Sequence, residues 1–153
     1  MFKIDAIDKA ILNTMQSDGR ISNADLAERI NLSPSACLRR VRHLEDTGVI
    51  EGYAMLVNPA AIGKPSNIFV EVSLASQSEY SLNLFESAVA ECPEVMECYL
   101  MAGESDYLLR VVAADAVDYE RIHKTHLSRL PNVSRIRTQF TLRAVCKKTA
   151  FQI

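Results

Sequence analysis

Three arginines, Arg39, Arg40 and Arg42, fall within four positions of the stretch LSPSACLRRVRHLEDTGVI, with His43 directly behind them. No Asp or Glu occurs from Asn31 to Leu44. Guanidinium groups collected on an acid-free segment suit a polyanion. Each can neutralise a phosphate, or grip the O6 and N7 edge of guanine with two parallel hydrogen bonds. The chain as a whole leans the other way, with 17 Lys and Arg against 19 Asp and Glu. Residues 1–58 hold 7 basic and 8 acidic side chains, and residues 59–153 hold 10 and 11. The overall basic surplus of a typical nucleic-acid binder is missing, so one local patch must carry any such contact. A single copy then binds weakly, and tight binding calls for two or more copies acting together.

Other reactive residue types form no comparable pattern. Cys37, Cys92, Cys98 and Cys146 include no C-x-x-C pair, and Cys92 and Cys98 straddle Pro93 at a spacing poor for zinc. Reduced thiols in a cytoplasmic protein fit that usage. His123 and His126 stand three apart, on one helix face, without an evident third ligand. The run from Gly103 to Tyr107 superficially resembles a G-x-S-x-G nucleophile elbow, but lacks the second glycine and joins two strands rather than a strand and a helix. No P-loop or dinucleotide fingerprint occurs. An enzyme would need a catalytic constellation that these residues do not supply.

The elements around the arginines read as a helix-turn-helix. Ile4, Ile7, Ile11, Leu12 and Met15 lie on one face of a first helix, with Asp5 and Asp8 at its N-terminal dipole and Gly19 suited to its C-terminal cap. Ser22 and Asp25 open a second helix in a capping-box arrangement; it buries Leu26, Ala27 and Ile30 and closes on Asn31 in the left-handed conformation. Ser33 caps a third helix, Pro34 takes its first position, and Gly48 ends it. Cys37, Val41 and Leu44 mark its inner face, which leaves Arg39, Arg40, Arg42 and His43 toward solvent. In such a motif the second of the paired helices enters the major groove and its leading residues meet base edges. Ser33, Ser35 and Ala36 form that leading edge, and free N–H groups at the helix starts, near Ser22 and Ser33, suit phosphate.

An extended piece and a Pro/Gly/Asn-punctuated linker follow, which places domain boundaries at 1–58, 59–66 and 67–153. Beyond the linker the apolar period changes. Ile68, Val70, Val72 and Leu74 alternate as a strand; Leu82, Phe85 and Val89 mark a helix; VMECYLMA and YLLRVVA read as two strands joined by GESD. Tyr119, Ile122, His126, Leu127 and Leu130 mark another helix, and SRIRTQFTLRA alternates as a last strand with Arg135, Arg137 and Arg143 on one face. The order βαββαβ is the ferredoxin-like plan, so the fold class is α+β. Apolar runs are too short to span a bilayer, and the opening MFKIDAIDKAIL is not a signal-peptide pattern.

The stretches DAIDKAILNTMQSDGRISNADLAERINLSPSACLRRVRHLEDTGVIEGYAMLVNP and GESDYLLRVVAAD carry a resemblance to the Lrp/AsnC (leucine-responsive/asparagine, feast/famine) family of bacterial and archaeal transcription regulators. The resemblance implies a winged helix-turn-helix joined to a ferredoxin-like effector-sensing domain that dimerises through its sheet and often assembles to octamers. It implies no cofactor, only a small effector, commonly an amino acid, lying between subunits near the loop joining the second and third strands. That loop corresponds to Gly103, Glu104, Ser105, Asp106 and Tyr107, with Met101 as a pocket wall and Thr138 on the last strand. Gly103 permits close backbone approach, its amide suits a carboxylate, and Asp106 or Glu104 suits an ammonium. The alternative is that GESD is only a hairpin turn. The tail CKKTAFQI departs from relatives by carrying Gln152 where they have a proline. The expected function is sequence-specific regulation of transcription under effector control, at the nucleoid; the other reading is an architectural DNA-organising protein without effector.

Overall fold

The computed structural model describes residues 3–153, so Met1 and Phe2 of the N-terminal reading lie outside it. The chain divides into two compact units, one running to Met55 and taking in Val145–Ile153, the other spanning Leu56–Ala144.

In the first unit, α1 (Ala6–Ser17), α2 (Asn23–Arg29) and α3 (Pro34–Asp46) enclose a core of Ile11, Leu12, Leu26, Ala27, Cys37, Val41 and Leu44. Asp5 and Asp8 form a complete capping box on α1, each carboxylate accepting from backbone N–H at the other's end of the turn. The helix ends at Asp18, whose amide returns to the Thr14 carbonyl, and Gly19 takes no left-handed conformation. The Asp18 side chain supplies the turn instead, accepting from the Arg20 amide at 3.1 Å. Asn31, with φ 55°, closes α2, and Gly48, with φ 72°, closes α3. Both are left-handed positions that Asn and Gly tolerate best. Residues 51–58, expected as an extended piece, form neither helix nor strand.

The tail Val145–Ile153, expected with the sensing domain, groups with the first unit instead. Gln16 explains why: its carboxamide donates to the Phe151 carbonyl at 3.2 Å and accepts the Phe151 amide at 2.7 Å, while Asn13 donates to the Ile153 carbonyl at 3.4 Å. An amide side chain satisfies both polar groups of one extended residue, which no apolar contact could do.

The second unit follows the expected order: β1 (Ser66–Leu74), α4 (Glu79–Ala90), β2 (Val95–Leu100), β3 (Tyr107–Ala113), α5 (Ala116–Thr125) and β4 (Val133–Phe140). The sheet order is β2-β3-β1-β4, with all three neighbouring pairs antiparallel. Alternation decides the two faces. Ile68, Val70, Val72, Tyr107, Leu109 and Val111 pack under Phe85, Val89, Tyr119 and Ile122 of the helices. The opposite face carries Phe69, Glu71, Leu108, Arg110, Tyr99 and Arg137, and among the described residues of this unit no helix packs on it. The last strand stops at Phe140, earlier than expected, and Leu142 stands wholly exposed. The second helix likewise ends at Thr125, and Leu127–Arg129 continues as a single 3₁₀ turn.

Candidate functional site

The exposed face of α3 is built from its start. Ser33 accepts the Ala36 amide at 3.3 Å and lies 3.3 Å from the Ser35 hydroxyl. Asn23 at the head of α2 donates to the Pro34 carbonyl at 2.9 Å, which fixes the two helix starts to each other. Sequence reasoning missed Asn23, because nothing in its spacing separates a bracing amide from an ordinary first-turn residue. Ser35, Leu38, Arg39, Arg42, His43 and Asp46 line an open hollow of about 440 Å³. Arg39, Arg42 and His43 are exposed there, as expected. Among the described residues, no ion pair engages Arg39 or Arg42.

Two residues expected at the DNA surface are placed otherwise. Arg40 is not free, although its side chain stays 31% exposed: Nη1 donates to Asp5 and to Asp8 of α1, both at 2.8 Å. The Asp8 side chain is only 7% exposed. The Asp8 amide and then the guanidinium hold the Asp5 carboxyl below its usual range, while Asp5 and Asp8 raise the arginine further. The physical reason is helical geometry, since Arg40 precedes the buried Val41 and sits beside the apolar stripe rather than opposite it. Ser22 is likewise occupied, accepting the Asp25 amide at 3.1 Å and donating to the Asp25 carboxylate at 2.6 Å. That carboxylate at the start of α2 opposes phosphate binding there.

In the second unit the β2–β3 connection, residues 101–106, is closed by the Met101 amide donating to the Asp106 carbonyl at 2.8 Å. It is wider than a tight hairpin turn. A hollow of about 240 Å³ opens between this loop and the uncovered sheet face, walled by Met101, Gly103, Glu104, Ser105, Glu71 and Arg137. Glu71 and Arg137 are cross-strand partners on β1 and β4, and neither was singled out from sequence as a pocket residue. Arg137 lies 3.5 Å from Glu71, Ser105 donates to the same carboxylate oxygen at 3.4 Å, and Gln139 holds the other at 2.7 Å. Register supplies the signal that could have found them, because both sit opposite each other on the polar phase of their strands.

Of the other expected pocket residues, Asp106 and Thr138 point elsewhere, while Tyr107 lines the hollow but turns its ring into the core. Asp106 accepts the Leu74 amide at 2.6 Å and the Gln77 carboxamide at 2.7 Å, so both oxygens are committed to the β1–α4 connection. The Tyr107 side chain is buried against Phe85, with ring centroids 4.4 Å apart, and its hydroxyl donates to Glu86 at 2.7 Å. Burial and Glu86 together push its phenol well above the usual range. Thr138 pairs with Val70, a helix-face residue, and shares a 2.6 Å hydrogen bond with the Tyr119 hydroxyl. Side chains alternate along a strand, so Thr138 lies on the face away from Arg137.

Residues 67–151 match the family model for the Lrp/AsnC ligand binding domain, and residues 4–51 match winged helix-turn-helix DNA-binding. The chain belongs to the Lrp/AsnC family. It is a transcription regulator with a DNA-binding helix-turn-helix, not an enzyme. The leucine-responsive regulatory protein of Haemophilus influenzae is 41% identical over 150 residues, 98% of this chain and 90% of the relative. That of Rhizobium meliloti is 42% identical over 151 residues, 99% of this chain and 96% of the relative. A Neisseria meningitidis transcriptional regulator solved with L-Met aligns at TM-score 0.92 and 32% identity, over 98% of this chain and 97% of that one. The Mycobacterium tuberculosis feast or famine regulatory protein complexed with L-methionine gives TM-score 0.84 and 32% identity, over 97% and 99%. Within this Lrp/AsnC chain the DNA-binding match covers α1 to α3, and the ligand-binding match begins at β1. No helix among the described residues is long and apolar enough to cross a membrane.

Proposed function

We propose that this regulator binds double-stranded DNA as a cytoplasmic homo-oligomer and that an amino acid, bound at the β2–β3 loop, shifts its DNA affinity or its assembly. The DNA contacts are Ser33, Ser35, Ala36, Arg39, Arg42 and His43 on the exposed edge of α3. The effector residues are Met101, Gly103, Glu104 and Ser105, joined by Glu71 and Arg137. The observation that carries the effector reading is the opposed charge beside that loop, Arg137 and Glu71 at 3.5 Å. A zwitterion offers a carboxylate to the guanidinium and an ammonium to the glutamate, with Gly103 lining the same hollow. Two relatives solved with L-methionine support the chemical class. The uncovered sheet face, with Phe69, Leu108 and Tyr99 on it, supports pairing of two copies there, and further assembly to an octamer is the larger form of the same proposal.

An effector moves the equilibrium only as far as it prefers one state over another. A thermal-shift screen against the twenty amino acids tests the proposal, since a ligand confined to the native state adds about 2.7 kcal/mol at a hundred times its Kd. One amino acid should raise the melting temperature, and Arg137→Ala should abolish that rise. No rise with any of them would favour the architectural DNA-organising reading.

A further inference from the structure

We propose that Arg40 is a positioning residue for DNA reading: by clamping Asp5 and Asp8 it locks the recognition helix α3 to the head of α1, and it contributes no phosphate or base contact of its own. The guanidinium ends on two carboxylates, so the local sum over the three groups is one negative charge. No unmatched positive charge remains for a polyanion. Arg39 and Arg42, one position before and two after, face the open hollow without ion-pair partners among the described residues.

The clamp also has the right connections. The Asp5 Oδ1 atom accepts the Ile7 and Asp8 amides at 2.8 Å, and the Asp8 Oδ2 atom accepts the Asp5 amide at 3.1 Å. Each acid therefore has one oxygen on the first turn of α1 and the other on Arg40. The apolar contacts of Cys37, Val41 and Leu44 set how close α3 lies to the core, but hydrophobic contact is non-directional and leaves rotation about the helix axis soft. Two charge-assisted hydrogen bonds on a single nitrogen remove that freedom, and with it uncertainty in where Arg39 and Arg42 meet the groove. Arg40 holds the middle of the helix, and Asn23 braces its start through Pro34.

The test uses the full chain and two probes: a duplex enriched by the unaltered protein from a random-sequence pool, and a mixed-sequence duplex. Arg40→Gln should weaken the enriched duplex about tenfold more than the mixed one, with the slope of log affinity against log salt unchanged. Arg42→Ala should instead flatten that slope by about 0.9, the loss of one phosphate contact. Asp8→Asn decides the matter, because it removes a negative charge near DNA yet should reproduce the specific loss of Arg40→Gln. The double variant should bind no worse than either single one. A variant whose helix-turn-helix unit fails to fold is replaced by Asp5→Asn, which leaves the Asp8 pair in place and should show the same loss in smaller degree. Arg40→Lys should restore part of the specificity. A salt slope flattened by about one contact in Arg40→Gln would overturn the proposal. So would enriched-duplex binding by Asp8→Asn, or by Asp5→Asn where that stands in, as tight as the parent's or tighter.

Discussion

Replacing Asp106 with alanine separates two roles that a sequence cannot tell apart. The carboxylate accepts the Leu74 amide at 2.6 Å and the Gln77 carboxamide at 2.7 Å. Leu74 closes β1 and is 8% exposed, so its orphaned amide would have little access to water. Gln77 is exposed and re-solvates freely. A hydrogen bond to a charged acceptor contributes about 1.5–3 kcal/mol when buried, so the Leu74 bond alone sets a loss near 2 kcal/mol. In a domain of this size that lowers the melting temperature by about 8–16 °C. Scanning calorimetry on the effector-free protein measures it, and the transition of the α+β unit should move while the helix-turn-helix transition stays. Had Asp106 instead served chiefly to receive an effector ammonium, the variant would keep the parent's effector-free melting temperature and lose only its response to ligand. That outcome would refute the reasoning and return Asp106 to the pocket.

Asp118 gives a pH dependence. The Ala114 amide first, and then Arg121, hold its carboxyl at about 2, below its ordinary value of 3.8. A depressed carboxyl contributes stability that is full above its unfolded value and is lost as pH falls through the folded one. Acid unfolding should therefore steepen from about pH 4 down to about 2, and Asp118→Asn should flatten that limb in a denaturation series. Phe85→Ala empties a fully buried site stacked on Tyr107 and should cost about 3–5 kcal/mol by chemical denaturation. A cost below 1 kcal/mol would mean that the helix layer collapses onto the sheet more easily than its packing suggests.

The helix-turn-helix was legible because its signals are local. Ser33 before Pro34, Asn31 at the turn and Gly48 at the end each fix one backbone position within a few residues of the chain, and all three stand where the sequence places them. The order of the ferredoxin-like elements was legible for the same reason, through the change of apolar period at Ile68. What escaped depends on long separations. Arg40 and its acids are 32 and 35 residues apart, and the separation of Glu71 from Arg137 is 66. Three neighbouring arginines look alike until the partner helix is placed beside one of them. Asp106 and Thr138 show the complementary case: their positions along the chain suit a pocket, but strand alternation and hydrogen-bonded partners turn their side chains elsewhere.

The pairing of Gln16 with Phe151 joins groups 135 residues apart, and it has a consequence for how the chain is made and handled. At about 5–20 residues per second, α1 leaves the ribosome roughly 7–27 s before the tail segment that meets Gln16 exists, so the whole sheet domain is synthesised in between. The core of the first unit holds no tail residue, so the tail adds its contacts to Asn13 and Gln16 last. A reporter attached at Ile153 would accordingly sit beside α1 and register events at the DNA-binding unit, whereas one placed in the β2–β3 loop would register the sensor.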